Sequence, residues 1–445
     1  MKLKLSNILK IANADIELGG LTVITGVNDS GKSTIGKVLF STLKAVNNAS
    51  QIKESDAIFK IRLQLIGIKR ILNRQGIYLQ EINDIRDLAD NLIEKTFNKI
   101  DVLTKSIIEN EQIKNLPSRA LSILEKRLST IHTIIENFYN PNLAIKEEFN
   151  RISESEFTTR LLNSFGKEYA SIEFYDDTNN KQGSTIKIDF ANKSLDDIKV
   201  NGSFSIEDIT YIESPVYLPI LNTLRLSNSF STSSFRNIPP YLQKGNIPYH
   251  IADMAEKILT IEEFVPSLFD TLNTAQFESL LKEINLLIGG TFNVNIKDNQ
   301  LYFCKESGEK IPAINIATGV KSFGVLLRLL ETNNISTSKI LVIDEPEIHL
   351  HPEWQIKFCK LIIELIAKGI PIVISSHSPY FLQGLRYYAA AKGVEKDVIY
   401  YMAEKKEDGL SNIINVSDDL NKVFTLLSAP LHQIMNVDEV RNTQK

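Results

Sequence analysis

Apolar residues change their period along the chain, and each change predicts a different kind of element. Residues 1–18, MKLKLSNILKIANADIEL, alternate polar and apolar positions as a half-buried strand does. Leu21-Thr22-Val23-Ile24-Thr25 is a short β-branched run suited to a sheet interior. The opening therefore reads strand, turn, strand, then a glycine-rich loop and a helix. From about Ser50 to Phe165 the period becomes helical. Ile58, Ile61, Leu65, Ile68 and Leu72 recur at spacings of three and four and draw one apolar seam, which Leu121, Leu124, Leu128, Ile131 and Ile135 repeat. Pro117 and Asn140-Pro141 punctuate the stretch. Its acidic and basic residues are interspersed, as on solvated helix faces. A helical hairpin or small bundle is predicted at 51–165, inserted between residues 1–50 and 166–445. A DNA-gripping arm is the less economical reading.

Short strands return at Ala170 to Tyr175, Thr185 to Phe190 and Asp208 to Ile212. The polar run from Ser227 to Ser234, followed by Pro239-Pro240, is too poor in apolar residues to pack and reads as mobile. Helical sequence resumes near Ile251. Phe292 to Ile296 and Gln300 to Phe303, on either side of Lys297-Asp298-Asn299, read as a hairpin. The last third alternates helix and strand, which predicts an α/β fold.

The chain has 445 residues, 43% of them hydrophobic, enough for an ordinary core. A net charge of -4 argues against an electropositive, nonspecific DNA binder. Cys304 and Cys359 are the two cysteines, each in an apolar context, and read as reduced core thiols. Neither an uninterrupted apolar leader nor a membrane-length apolar stretch is present, so a cytoplasmic protein without a membrane partner is expected.

Gly26-Val27-Asn28-Asp29-Ser30-Gly31-Lys32-Ser33-Thr34 fits the P-loop pattern, two glycines around four residues and then Lys-Ser. The glycines let the backbone curl so that successive N–H groups face phosphate oxygens, and the following helix adds its positive end. Gly26, Asn28, Ser30, Gly31, Lys32, Ser33 and Thr34 are the nucleotide-binding candidates. Lys32 supplies charge to the β and γ phosphates, and the Ser33 hydroxyl is a hard ligand for magnesium. The second half of the site is Lys339-Ile340-Leu341-Val342-Ile343-Asp344-Glu345-Pro346, a strand buried on both faces that ends in two carboxylates. Asp344 is read as a magnesium ligand, direct or through water. Glu345 is read as the group that orients and deprotonates the attacking water. A further buried strand, Ile370 to Ser376, leads into His377-Ser378-Pro379, where His377 is in reach of a γ-phosphate. Zinc at His349, His351 and His377 is the weaker reading, since no cysteine stands at ligand spacing.

These segments together resemble the ABC-type ATPase heads of the RecF, SMC and OLD group, and most of all the ATPase subunits of anti-phage systems such as Septu and PARIS. The resemblance rests on the P-loop, on Asp344-Glu345-Pro346-Glu347-Ile348-His349-Leu350-His351-Pro352 and on Ser375-Ser376-His377-Ser378-Pro379. It implies a mixed sheet with flanking helices, ATP and Mg2+ as cofactors, and slow or regulated hydrolysis. It also implies a signature loop that reaches a partner's γ-phosphate in a head-to-tail dimer. The counterpart here is Asn315 to Ser322, with Thr318 and Gly319 as the contacting pair. It departs from Leu-Ser-Gly-Gly-Gln, because Ala317 brings no hydroxyl and Thr318 replaces the first glycine. The glutamine loop expected at magnesium has no clear counterpart. Ile212-Glu213-Ser214-Pro215 resembles a recurrent element of these defence ATPases and carries no assigned chemistry.

The resemblance further implies a defence scaffold that controls a separate effector nuclease, HNH-type by the Septu analogy or Toprim-type by the PARIS analogy. The residues after His377 show no Asp-x-Asp pair of a Toprim domain. A DNA-repair or chromosome-handling ATPase, with DNA as partner, is the alternative. A transporter ATPase fits less well, given the altered signature loop and the insertion.

Overall fold

The computed structural model describes residues 1–50, 54–78, 93–157, 169–177, 183–192, 194–220, 247–259, 268–295, 298 and 300–429. The Ser227–Ser234 run and Pro239-Pro240 lie outside them. The described chain forms two compact units, Ala45–Glu148 and the remainder, Met1–Lys44 with Phe149–Lys445.

The larger unit opens with β1 (Lys2–Ile8), β2 (Ile11–Glu17) and β3 (Leu21–Thr25), then α1 (Lys32–Ser50). The helical unit holds α2 (Glu54–Arg74), α3 (Ile93–Glu109) and α4 (Ser118–Tyr139), and α5 (Pro141–Phe157) leads out of it. The seam read from the sequence is its core. Ile61, Leu65, Ile68 and Leu72 of α2 pack in one cluster with Phe97, Ile100 and Ile107 of α3 and with Leu124, Leu128 and Ile131 of α4. The contact boundaries, Ala45 and Glu148, fall within α1 and α5 rather than at 51 and 165.

Beyond α5 come β4 (Tyr169–Asp176), β5 (Ser184–Ala191), β6 (Ser194–Asn201), β7 (Asp208–Ile212), α6 (Tyr249–Leu259) and α7 (Leu268–Ile288). β8 (Gly290–Asn295), β9 (Gln300–Lys305) and β10 (Lys310–Pro312) make a small antiparallel sheet, one strand more than the expected hairpin. Next come α8 (Thr318–Glu331), β11 (Lys339–Asp344), α9 (Pro352–Ile366), β12 (Ile372–Ser376), α10 (Pro379–Lys392), β13 (Val398–Lys405) and β14 (Ser411–Asn415). Residues 421–429 are helical. The chain is thus a mixed α/β structure with flanking helices. Among the described residues, no helix is long and apolar enough to cross a membrane.

The large sheet has eleven strands in the order β6-β5-β4-β1-β2-β14-β13-β3-β12-β11-β7. From β13 to β7 all neighbours run parallel, so five carboxyl ends share one edge. β3 and β12 are buried at every residue, as their apolar runs require. β6 was not expected. Ile198 is its one buried residue, so the strand carries almost no apolar signature. Cys359 lies in the core, whereas Cys304 is only half-buried. Alternation along β9 gives the buried face to Leu301 and Phe303 and turns Cys304 to the other side, which corrects the expectation of two core thiols.

The amino end of β7 is held by buried charge. Asp208 accepts from Lys44 of α1 at 2.7 Å and lies 2.8 Å from Lys257 of α6; Asp253 lies 2.6 Å from Lys44 and 2.9 Å from Lys257. Each charge has two opposite neighbours, which is how four such groups are tolerated out of water. Burial acts to raise the Asp208 pKa, but Lys257 and Lys44 outweigh it and hold the carboxyl at about 2. Its stabilising effect is complete above the ordinary aspartate range and is lost as pH falls towards 2. Asp208→Asn leaves two buried ammonium groups with one anion and is expected to lower the unfolding free energy by about 3 kcal/mol. Urea titration at pH 7 measures this, and the gap between variant and wild type should close as the pH is lowered from 4 to 2.

Candidate nucleotide-binding site

Strand register brings the site together. Asp344 of β11 pairs with Ser375 of β12, and Ser376 pairs with Thr25 of β3, so three chains leave the sheet at one level. From those ends emerge the P-loop, Glu345 and His377.

The P-loop backbone has the left-handed turns its glycines predict. Gly26 has φ 150° and Gly31 has φ 89°. A Cβ on Gly26 would stand 3.1 Å from the Ala403 carbonyl oxygen and the Ser30 hydroxyl, so the loop is closed to larger residues. Asp29 takes φ 63° and is fastened by an ion pair to Lys10. Lys32, 5% exposed, folds back and donates to the carbonyls of Gly26 at 3.1 Å and Val27 at 2.9 Å. Burial lowers its pKa, against the opposing pull of Glu345, Asp344 and Glu347. Among the described residues, the buried Ser30 hydroxyl has no hydrogen-bond partner. An amide-lined loop with a buried ammonium and an unpartnered hydroxyl at the start of α1 fits a polyphosphate. Asn28 is exposed on this loop, and Thr34 closes its end by donating its backbone N–H to the Gly31 carbonyl at 3.1 Å.

Asp344 is locked from two sides. Tyr211 of β7 donates to Oδ2 at 2.8 Å, and the Ser375 hydroxyl donates to Oδ1. Burial, reinforced by Asp344, pushes the Tyr211 phenol well above its ordinary value, so it remains a donor. Glu345 sits at φ 45°, with its N–H donating to the Ser375 carbonyl at 3.0 Å. That turn brings its carboxylate 3.8 Å from Lys32 Nζ and 3.2 Å from His377 Nδ1. Ser33, Asp344 and Glu345 line one cleft of about 350 Å³. A hydroxyl, a carboxylate and room for water suit a magnesium ion shared with phosphates.

Lys32, Ser33, Asp344, Glu345 and His377 are thereby brought together. Thr318 and Gly319 are not among the residues that line the cleft. They open α8, whose cap Ala317 makes no side-chain hydrogen bond, and the helix offers Ser322, Val325 and Leu326 to the cleft instead. His349 lines the cleft, while His351 caps α9 by accepting from the Glu353 N–H at 3.4 Å.

A family model described as AAA ATPase domain matches residues 1–382. The chain belongs to the AAA ATPase domain family. Curated relatives of this ATPase agree with the OLD and Septu resemblance. OLD nuclease from Thermus scotoductus is 31% identical over 25% of this chain and 22% of its own. Endonuclease GajA from Bacillus cereus is 22% identical over 90% of this chain and 57% of its own. Septu protein PtuA from Bacillus thuringiensis is 33% identical over 15% of this chain and 16% of its own. The chain thus spans little more than half of GajA and smaller parts of the other two. The SMC head domain from Thermotoga maritima superimposes over 93% of this chain and 98% of its own at 13% identity, with a TM-score of 0.38, too low to bear an inference.

Three residues of the ATPase site carried no role in the sequence reading. The sequence alone assigns no chemistry to Glu347. Its Oε1 accepts from the Ser376 hydroxyl and the His377 N–H, both at 2.8 Å, and from the Ser378 N–H at 3.2 Å. It therefore stitches the His377 turn to the Glu345 turn, and burial holds its carboxyl above the usual range despite those donors. Glu213 lines the cleft beside Ser33 and Asp344. Tyr211 lay unnoticed inside β7, and the one signal for it was a polar-tipped aromatic in a buried strand.

Gly36 in α1 makes the Tyr211 contact feasible. A Cβ there would meet Tyr211 Cε2 at 2.7 Å and Val342 Cγ1 at 2.9 Å. Since Tyr211 is fully buried, Gly36→Ala is expected to destabilise by about 1–3 kcal/mol through overpacking and to slow hydrolysis by displacing the phenol from Asp344. Urea titration and a phosphate-release assay on the same preparation measure the two effects.

Proposed function

We propose that this protein binds ATP with Mg2+ and hydrolyses it slowly, as the regulatory and scaffolding subunit of an anti-phage defence complex. The observation that carries the ATPase reading is the convergence of Lys32, Ser33, Asp344 and Glu345 at the carboxyl ends of adjacent parallel strands. In this reading Lys32 leaves the Gly26 and Val27 carbonyls for the β and γ phosphates, and the P-loop N–H groups and Ser30 hydroxyl complete the cradle. Ser33 and Asp344 would hold magnesium, which when bound would neutralise charge developing on the phosphates. Glu345 orients the attacking water and takes its proton, and His377 steadies Glu345 and faces the γ-phosphate.

The likeness to GajA and PtuA and the motifs after Asp344 support the defence role. Two chains pair head to tail, so that Thr318 and Gly319, which are outside their own cleft's lining, meet the partner's ATP. Met1–Lys44 and Phe149–Lys445 make the head, and Ala45–Glu148 form its helical insertion. The complex works in the cytoplasm, and its ATP state controls a separate nuclease, HNH-type by the Septu analogy.

Lys32→Ala is expected to abolish ATP binding, and Glu345→Gln to retain binding while hydrolysis falls by about 10²- to 10⁴-fold and an ATP-bound dimer accumulates on size exclusion. Wild-type turnover by Glu345→Gln rules out the assignment of the base. Purifying the tagged chain from its native operon with ATP and magnesium tests the partner. A stoichiometric nuclease supports the defence subunit, whereas a chain that purifies alone with DNA-stimulated hydrolysis points to a DNA-handling ATPase.

A further inference from the structure

Behind the cleft lies a chain of charged groups that the reading above leaves unused. Glu213 follows the last residue of β7, Ile212, which pairs with Ile343 of β11, and it lines the cleft beside Ser33, Asp344 and Glu345. Its Oε1 accepts from Lys37 of α1 at 3.0 Å. Its Oε2 lies 3.3 Å from Nε2 of His250, and Tyr217 donates to it at 3.4 Å. On the far side of the imidazole, Glu156 Oε2 is 2.7 Å from Nδ1, while Glu156 Oε1 accepts the backbone N–H of His250 at 2.8 Å. The side chains of His250 and Glu156 are 1% and 0% exposed.

With a carboxylate at each nitrogen, the ring satisfies both only when both nitrogens carry protons, because a neutral imidazole donates to one partner and not two. Burial lowers the His250 pKa, and the hydrogen bonds to Glu156 and Glu213 outweigh it. The array is thus carboxylate, imidazolium, carboxylate, ammonium. Removing such ions from water is costly, and apolar packing of similar shape commonly stabilises a fold as well or better. What apolar packing cannot supply is direction. Both oxygens of Glu213 are engaged from behind and from the side, so its carboxylate has one orientation at the mouth of the cleft. The His250 ring also stands edge-on to Tyr211, with centroids 4.8 Å apart, and Tyr211 is the donor that fixes Asp344.

We infer that His250 and Glu156 are positioning residues of the ATP site, acting through Glu213 on the magnesium side of the cleft. The inference rests on the ATP–Mg2+ reading. A hydrated cation keeps several of its waters when bound by few protein ligands. A fixed carboxylate beside Ser33 and Asp344 is suited to accept from those waters, so the dyad's contribution appears in metal affinity and turnover and not in phosphate capture by the P-loop.

The test uses the full chain, with a fluorescent ATP analogue in EDTA, Mn2+ binding to the nucleotide complex followed by paramagnetic resonance, and steady-state hydrolysis. His250→Gln and Glu156→Gln should leave analogue binding in EDTA within about twofold, weaken Mn2+ by about tenfold, and lower kcat by about tenfold with KM for ATP within about twofold. Glu213→Ala should do the same, and adding His250→Gln to it should cause no further loss. Near-wild-type Mn2+ affinity in folded His250→Gln or Glu156→Gln overturns the inference, as does full additivity in the double variant. If both buried variants misfold, Glu213→Ala, a change at a partly exposed position, decides, since unaltered Mn2+ affinity there removes the residue the dyad is said to aim. A wild-type chain that fails to bind the analogue in EDTA overturns the ATP reading itself, whereas wild-type binding with unaltered Mn2+ affinity in the variants defeats the inference alone.

Discussion

Everything at the nucleotide site depends on the register of three parallel strands. β3, β12 and β11 are too apolar to face water, so each lies inside the sheet with a strand on either side and helices over it. Their side chains alternate with a period of two, so a slip of one residue would turn Asp344 away from Ser375 and place Lys32 at another level from Glu345. Hydrophobic burial holds that register, and the polar residues follow at the ends because the apolar runs stop together. Chemistry in this molecule is therefore positioned by residues that take no part in it.

β7 adds a second constraint at the edge of the sheet. Its amino end is fixed by Asp208 between Lys44 and Lys257, and its carboxyl end by Glu213 between Lys37 and His250. Lys37 and Lys44 are seven residues apart on α1, and His250 and Lys257 are seven apart on α6. Two turns of each helix thus span the strand, so α1 and α6 both hold β7 at its two ends. Because α1 begins at Lys32, the helix that opens at the P-loop is tied to the strand that carries Tyr211 and leads into Glu213. Gly36 lets the two approach closely enough for this to work.

What was legible in the sequence was local. The P-loop, the Asp344-Glu345 strand end and His377 each lie in one short segment, where the backbone and chemical demands coincide. The helical seam was legible because a period of three and four persists over many turns. Glu156, His250 and Glu213 were not, since they are 94 and 37 residues apart and none repeats with its neighbours. A histidine in Pro-Tyr-His-Ile has nothing around it to announce two carboxylate partners. Gly36 was silent for the same reason, because what it meets is a ring from β7. β6 stayed hidden because, with Ile198 its one buried residue, a sheet edge need not be apolar. Thr318 and Gly319 were placed by resemblance, and the lining of their own chain's cleft does not include them.

Lys32 and Glu345 are each held in place by backbone groups of the loops that carry them. A buried ammonium needs acceptors, and Lys32 takes them from its own loop, the Gly26 and Val27 carbonyls. Those two hydrogen bonds tie the side chain back across the loop that its own backbone closes. Glu345 occupies a left-handed backbone position that costs a non-glycine residue about 1 kcal/mol or more. Hydrogen bonds from its N–H to Ser375 hold it there, and its own carbonyl accepts from Ile348 at 3.0 Å. An extended residue at that point would continue the strand and stand its carboxylate off one face of the sheet. The turned one lies within 4 Å of both Lys32 and His377, so this backbone strain is the means by which Glu345 meets the P-loop lysine and the His377 turn together.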